Sequence, residues 1–157
     1  MDNQIILGAL SAYGTKYNPE YANQCEVSIP PKANWCGVLV GSLLSEIGYE
    51  LPPRPQVARS YLKIGEPVYE PLIGDIVVFW RVTPKEWCGH VSVFIREDET
   101  GIYCLGGNQI GKVQIVSYSK NNLLGIRKEF EYQMPYLSYI IFLGIQSKSM
   151  KKNNLSF

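Results

Sequence analysis

Gly74-Asp75-Ile76-Val77-Val78-Phe79-Trp80-Arg81-Val82, then His90-Val91-Ser92-Val93-Phe94-Ile95-Arg96, is the stretch that decides the fold. Both runs are rich in β-branched and aromatic residues. They are bounded by Gly74, by a Thr83-Pro84-Lys85-Glu86 loop and by the turn Glu97-Asp98-Glu99-Thr100-Gly101. That pattern predicts two strands joined as a hairpin, followed by a second hairpin turn. Downstream, residues 102–105, 112–117, 124–128 and 137–144 keep the strand texture, with 106–111 reading as a loop. Upstream the texture is helical over 3–13, then irregular around Gly14, Pro19, Pro30 and Pro31. A buried helix is predicted over 36–48 with Gly48 as its C-cap, and a shorter helix over 57–63. The Pro52-Pro53-Arg54-Pro55 run between them cannot be helical. Helices first and a hairpin-connected antiparallel sheet second make an α+β domain. We expect one domain over 1–146, with its motifs within 30–128, and a polar tail over 147–157.

A chain of 157 residues can bury a core. Fifteen Lys+Arg against 14 Asp+Glu leave a net charge of +1, which argues against nucleic acid as the main partner. With 46% hydrophobic and 18% charged residues the composition is globular. A single histidine, His90, excludes metal sites that need two or more. Met1-Asp2-Asn3-Gln4 followed by an apolar run broken at Gly8 reads as a first helix rather than a secretory signal. The most apolar window elsewhere, 136–145, is about half a membrane span. The expectation is cytoplasmic synthesis without a signal peptide and no membrane insertion. Cys25, Cys36, Cys88 and Cys104 include no C-x-x-C pair and are expected to be reduced. Cys36, Cys88, His90 and Cys104 would compose a Cys₃His zinc set, but the Cys88-x-His90 spacing lacks the usual gap. No metal or cofactor is expected.

Three features sit where the predicted elements meet. Cys36, after Trp35, opens the buried helix, where free N–H groups and the positive dipole end favour thiolate over thiol. The same N–H groups suit a developing oxyanion. His90 heads a strand behind Gly89 and shares a face with Ser92 and Phe94, opposite Val91, Val93 and Ile95. An imidazole beside a thiol takes its proton and returns it to the leaving group. Asn108, in Gly106-Gly107-Asn108-Gln109, could accept from the imidazole N–H and fix its tautomer; Gln109 is the alternative third residue. Trp35 and Trp87 flank the two reactive candidates and, with Gln109, are candidate substrate contacts. Asp75, behind a Gly at a strand start, reads as a backbone partner. Arg54 and Arg59 could meet a peptide carboxylate, although solvated surface is the simpler reading.

Asn34-Trp35-Cys36-Gly37, Gly74-Asp75-Ile76-Val77-Val78-Phe79, Gly89-His90-Val91 and Leu105-Gly106-Gly107-Asn108-Gln109 together resemble the CHAP family of cysteine, histidine-dependent amidohydrolases/peptidases. These are relatives of NlpC-type cell-wall peptidases, and the closest resemblance is to compact phage-type lysins. It covers about residues 30–128 in matching order; Gly37 stands where the family has a larger residue. The resemblance implies a papain-like fold and hydrolysis of a peptidoglycan amide bond, as an amidase or endopeptidase. Cys36 would be nucleophile, His90 general base then acid, and Asn108 orienter. It implies bacterial peptidoglycan as the partner, with action on the cell wall after release or injection. Delivery would be through a holin or a secretion apparatus, with an immunity protein if the chain is an effector. The other reading is a non-catalytic wall-binding or phage structural module that keeps the fold.

Overall fold

The computed structural model describes residues 4–30 and 33–128. The decisive hairpin forms as the sequence predicts. Strand β2 (Ile76–Trp80) pairs antiparallel with β3 (Gly89–Glu97), with Val78 opposite Val91 and Phe79 opposite His90. Including the two-residue β1 (Glu66–Pro67), β4 (Ile102–Gln109), β5 (Lys112–Tyr118) and β6 (Leu123–Lys128), a six-stranded sheet forms in the order β1-β6-β2-β3-β4-β5. Every adjacent pair is antiparallel, so the α+β class stands. The expected strand over 137–144 and the tail over 147–157 lie outside the described residues.

Helices α1 (Gln4–Ser11), α2 (Glu20–Gln24) and α3 (Cys36–Glu46) precede the sheet. Strand alternation divides the apolar residues between its faces. Ile76, Val78, Val91, Val93, Leu105 and Val113 join the helices in one core. Val77, Phe79, Phe94, Ile102, Cys104 and Ile126 form a second cluster. Helix α3 carries the first core, burying Val38, Leu39, Val40, Leu43 and Leu44, each contributing about 1.5–3 kcal/mol. It ends at Glu46, two residues short of the expected end, with Ile47 as C-cap; the expected Gly48 (φ +74°) follows, its N–H donating to Ser45 O and the Tyr49 N–H to Leu44 O. Residue 37 is glycine because any Cβ there would collide with the Pro55 carbonyl. That approach lets the buried Tyr61 hydroxyl sit 2.6 Å from Gly37 O and 3.1 Å from Pro55 O.

Local assignments differ in several places. The segment 57–63 is a 3₁₀ helix over Ala58–Lys63. Helix α2 starts behind Pro19 in a stretch read as irregular, since proline is compatible with a helix start. Arg81 and Val82 lie beyond the end of β2. The largest difference is that Gly106-Gly107-Asn108-Gln109, expected as a loop, completes β4. Its register against β5 shifts between Gly106 and Gln109, so β4 carries one extra residue there. A Cβ on Gly107 would lie 2.5 Å from the Trp35 ring, which explains why a loop-like composition serves a strand here.

The β4–β5 turn is Ile110-Gly111, with φ values of +53° and +74°. Positive φ at both central positions is the tight hairpin geometry that favours Asn-Gly. Ile110 is a β-branched residue in that region and is 88% exposed, so it strains the turn without a packing return. Ile110→Asn should raise the unfolding free energy by about 1 kcal/mol in urea denaturation. An equal or lower value would show that the turn is unstrained.

Candidate functional site

Cys36 is the first residue of α3, and Trp35 supplies no side-chain cap to it. The first-turn N–H groups are therefore left to the sulfur. Backbone N–H groups of Val91, Gly37 and Cys36 itself favour its thiolate, as does the positive charge of Arg81. Burial outweighs them: Cys36 is 2% exposed and its pKa is pushed above the ordinary thiol value. The expectation of a depressed pKa from the helix terminus alone is thus reversed. Desolvation of the charged form exceeds what a few N–H dipoles return. Cys25 and Cys104 are pushed up by burial to about 11 and about 12. No helix terminus or cation opposes burial at either of them. All four cysteines are free thiols.

His90 lies on β3, fully buried, with its ring stacked on Tyr118 at 4.9 Å between centroids. Tyr118 stacks in turn on Phe79 at 4.7 Å. His90 Nε2 is 2.9 Å from Gln109 Oε1, which also accepts from the Tyr118 hydroxyl at 2.9 Å. The Gln109 amide nitrogen donates to the carbonyls of Cys104 and Gln114. Those donations fix which end of the amide faces the ring. An oxygen facing Nε2 places the imidazole proton there and leaves the lone pair on Nδ1.

The orienting contact expected of Asn108 is therefore made by Gln109. Strict alternation from Cys104 through Gly106 would put residue 108, not 109, on the His90 face. The bulge breaks that alternation, and Asn108 takes a left-handed conformation (φ +57°), which Asn tolerates. Its amide donates instead to Asn34 Oδ1 at 2.8 Å. Asn108 and Trp35 line a groove of about 580 Å³ with Tyr17, Pro19, Ile29 and Pro30. Trp35 itself is mostly buried against Tyr17 and Tyr21, so it serves as the groove's wall. Trp87 is 76% exposed in the β2–β3 loop.

Two arginines bear on that loop, one from the 3₁₀ helix and one from the loop itself. Arg59, read as solvated surface, ties the loop to the 3₁₀ helix, donating to the carbonyls of Cys88, Pro84 and Thr83 at 3.4, 3.0 and 3.2 Å. Arg81 reaches back so that its Nη2 lies 3.0 Å from His90 Nδ1. The only hint was position, since Arg81 follows the strand that pairs with His90's. The structure brings Cys36 to the Val91 amide, one residue from His90. No hydrogen bond joins Cys36 to His90 among the described residues: Cys36 packs in the helical core with Val91, whereas the His90 ring stacks on Tyr118 by the second cluster. Asp75 is a backbone partner, accepting from the Leu72 N–H at 2.8 Å. Among the described residues no three His, Cys, Asp or Glu side chains are grouped to hold a metal ion. None of the described helices is long and apolar enough to cross a membrane.

Burial, against the Gln109 hydrogen bond and with the Arg81 charge, lowers the His90 pKa from 6.5 to about 4. The unfolded chain then binds this proton before the native one does. Stability from the neutral ring is intact above about pH 6.5 and is lost as pH falls towards 4. The stability difference between the parent protein and His90→Gln should shrink by about 2–3 kcal/mol between pH 7 and pH 4.5. Urea titrations at the two pH values measure it, and a constant difference would mean the ring titrates normally. Neither a protein-family model nor a curated protein matches this chain.

Proposed function

We propose that this chain is a cysteine amidase or endopeptidase of papain-like fold that hydrolyses an amide bond of bacterial peptidoglycan. One observation carries the reading: an uncapped helix start presents Cys36 to the backbone amide of Val91, and the residue before it on β3, His90, has its tautomer fixed by Gln109. The resemblance of the four motifs to CHAP and NlpC-type enzymes supports the choice of substrate.

The resting pair is a neutral thiol and a neutral imidazole, so attack is assisted by base rather than begun by a preformed thiolate. Once Nδ1 is free, it takes the Sγ proton as the sulfur bonds to the amide carbon. The Cys36 and Gly37 N–H groups and Val91's are suited to hold the oxyanion. The imidazolium formed is stabilised by Gln109 Oε1 at Nε2. Collapse breaks the C–N bond, and Nδ1 returns the proton to the leaving amine. Water, deprotonated by the same nitrogen, cleaves the thioester and restores the thiol. Trp35 and Asn108 on the groove, with Trp87, are the candidate substrate contacts.

The low exposure of Cys36 and the occupied His90 nitrogens favour the second reading, a non-catalytic wall-binding or phage structural module. Clearing of purified cell walls, with mass spectrometry of released fragments, separates the two and identifies the bond cut. Release of new amine or carboxyl termini supports the hydrolase. Wall binding with no new termini supports the module and overturns the enzyme.

A further inference from the structure

We propose that Arg81 is a receptor for a free carboxylate on the substrate, and that binding this carboxylate releases His90 Nδ1 to act as the base. The inference rests on the hydrolase reading for its purpose but not for its geometry. Gln109 fixes the imidazole proton on Nε2, so Nδ1 carries the ring's free lone pair, the one a base would use. The Arg81 guanidinium occupies that lone pair at 3.0 Å. A cation on the base blocks proton uptake by hydrogen bonding and by charge.

Arg81 is nonetheless poorly matched where it rests. It is an exposed residue, reachable from solvent, and its hydrogen-bond partner is a neutral ring. Among the described residues the ion pairs are Arg96–Asp98 and Lys120–Glu97, and neither involves it. A guanidinium makes paired, charge-assisted hydrogen bonds to a carboxylate that an imidazole cannot offer. An arriving carboxylate therefore draws Arg81 off Nδ1. The fit is to a peptide bearing a free carboxylate near the scissile amide, in preference to its carboxamide. Neutral substrates leave the base capped.

The single histidine makes the test direct. In ¹⁵N spectra of the full chain, glutarate should shift the His90 Nδ1 resonance, while glutaramide should leave it in place. Arg81→Gln should abolish the glutarate response, and Arg81→Lys, which keeps charge without the fork, should retain part of it. Parallel alkylation of Cys36 gives a second reading. Relative to a free thiol, the parent should favour iodoacetate over iodoacetamide, and Arg81→Gln should lower that ratio about tenfold, the scale of one charge-assisted contact. If glutarate and glutaramide act alike on the parent, the proposal is wrong, whatever either variant does. Since neither measurement involves cell walls, a chain that responds to glutarate but cuts no wall would overturn the hydrolase reading alone.

Discussion

Cys36→Ala protein should leave a cell-wall suspension as turbid as buffer does, while unfolding at nearly the parent's urea midpoint. In the proposed mechanism the sulfur is the atom that bonds to the substrate carbon, and neither of the buried thiols Cys25 and Cys104 can replace it. Cys25 donates to Val38 O inside the helical core, and Cys104 lies in the second cluster. His90→Ala should cost about 10²–10⁴-fold in rate, the usual scale of a positioned general base. With a single histidine in the sequence, no second imidazole can take over. Because burial holds His90 neutral down to about pH 4, the acid limb of the parent's rate should fall below the ordinary imidazole range. Alkylation of Cys36 should accelerate towards alkaline pH, since its thiol is pushed up rather than down. Wall clearing by Cys36→Ala at the parent rate would sink the mechanism outright.

Gln109→Ala should be the most damaging substitution outside that pair, because one side chain ties together four groups. It would strip the acceptor from His90 Nε2 and the Tyr118 hydroxyl, and the donor from the Cys104 and Gln114 carbonyls. Each buried group left unpaired costs about 1–3 kcal/mol, and part of that is recovered by relaxation. A net loss of about 2–4 kcal/mol in urea unfolding is expected, with a rate loss of about 10²-fold or more as the ring loses its tautomer. Gln109→Glu separates orientation from stability. Its carboxylate facing Nε2 would favour the imidazolium, so the His90 pKa should rise, read from the one imidazole signal in NMR. Its lost donor should still destabilise the fold. Asn108→Ala serves as the contrast, changing the groove and the Asn34 contact but not the His90 pKa. If Asn108→Ala moved that pKa and Gln109→Glu did not, the assignment of the orienter would be reversed.

The sequence by itself determined the α+β class, the β2–β3 hairpin, the start of α3 and the turn at Gly48, and the places of Cys36 and His90 in their elements. Those features are local: strand alternation, glycine at positive φ and a helix start are set by residues a few positions apart. Only the tertiary structure decided between Asn108 and Gln109, because a bulge against β5 breaks the alternation that sequence spacing assumes. It alone decided the state of the Cys36 thiol, since helix N–H groups are visible in sequence but the burial that outweighs them is not. Arg81 on His90 Nδ1 belongs to the same class. A side chain returning across a hairpin leaves no periodic trace, so one count of histidines could point to the proposed base but not to the cation at its Nδ1.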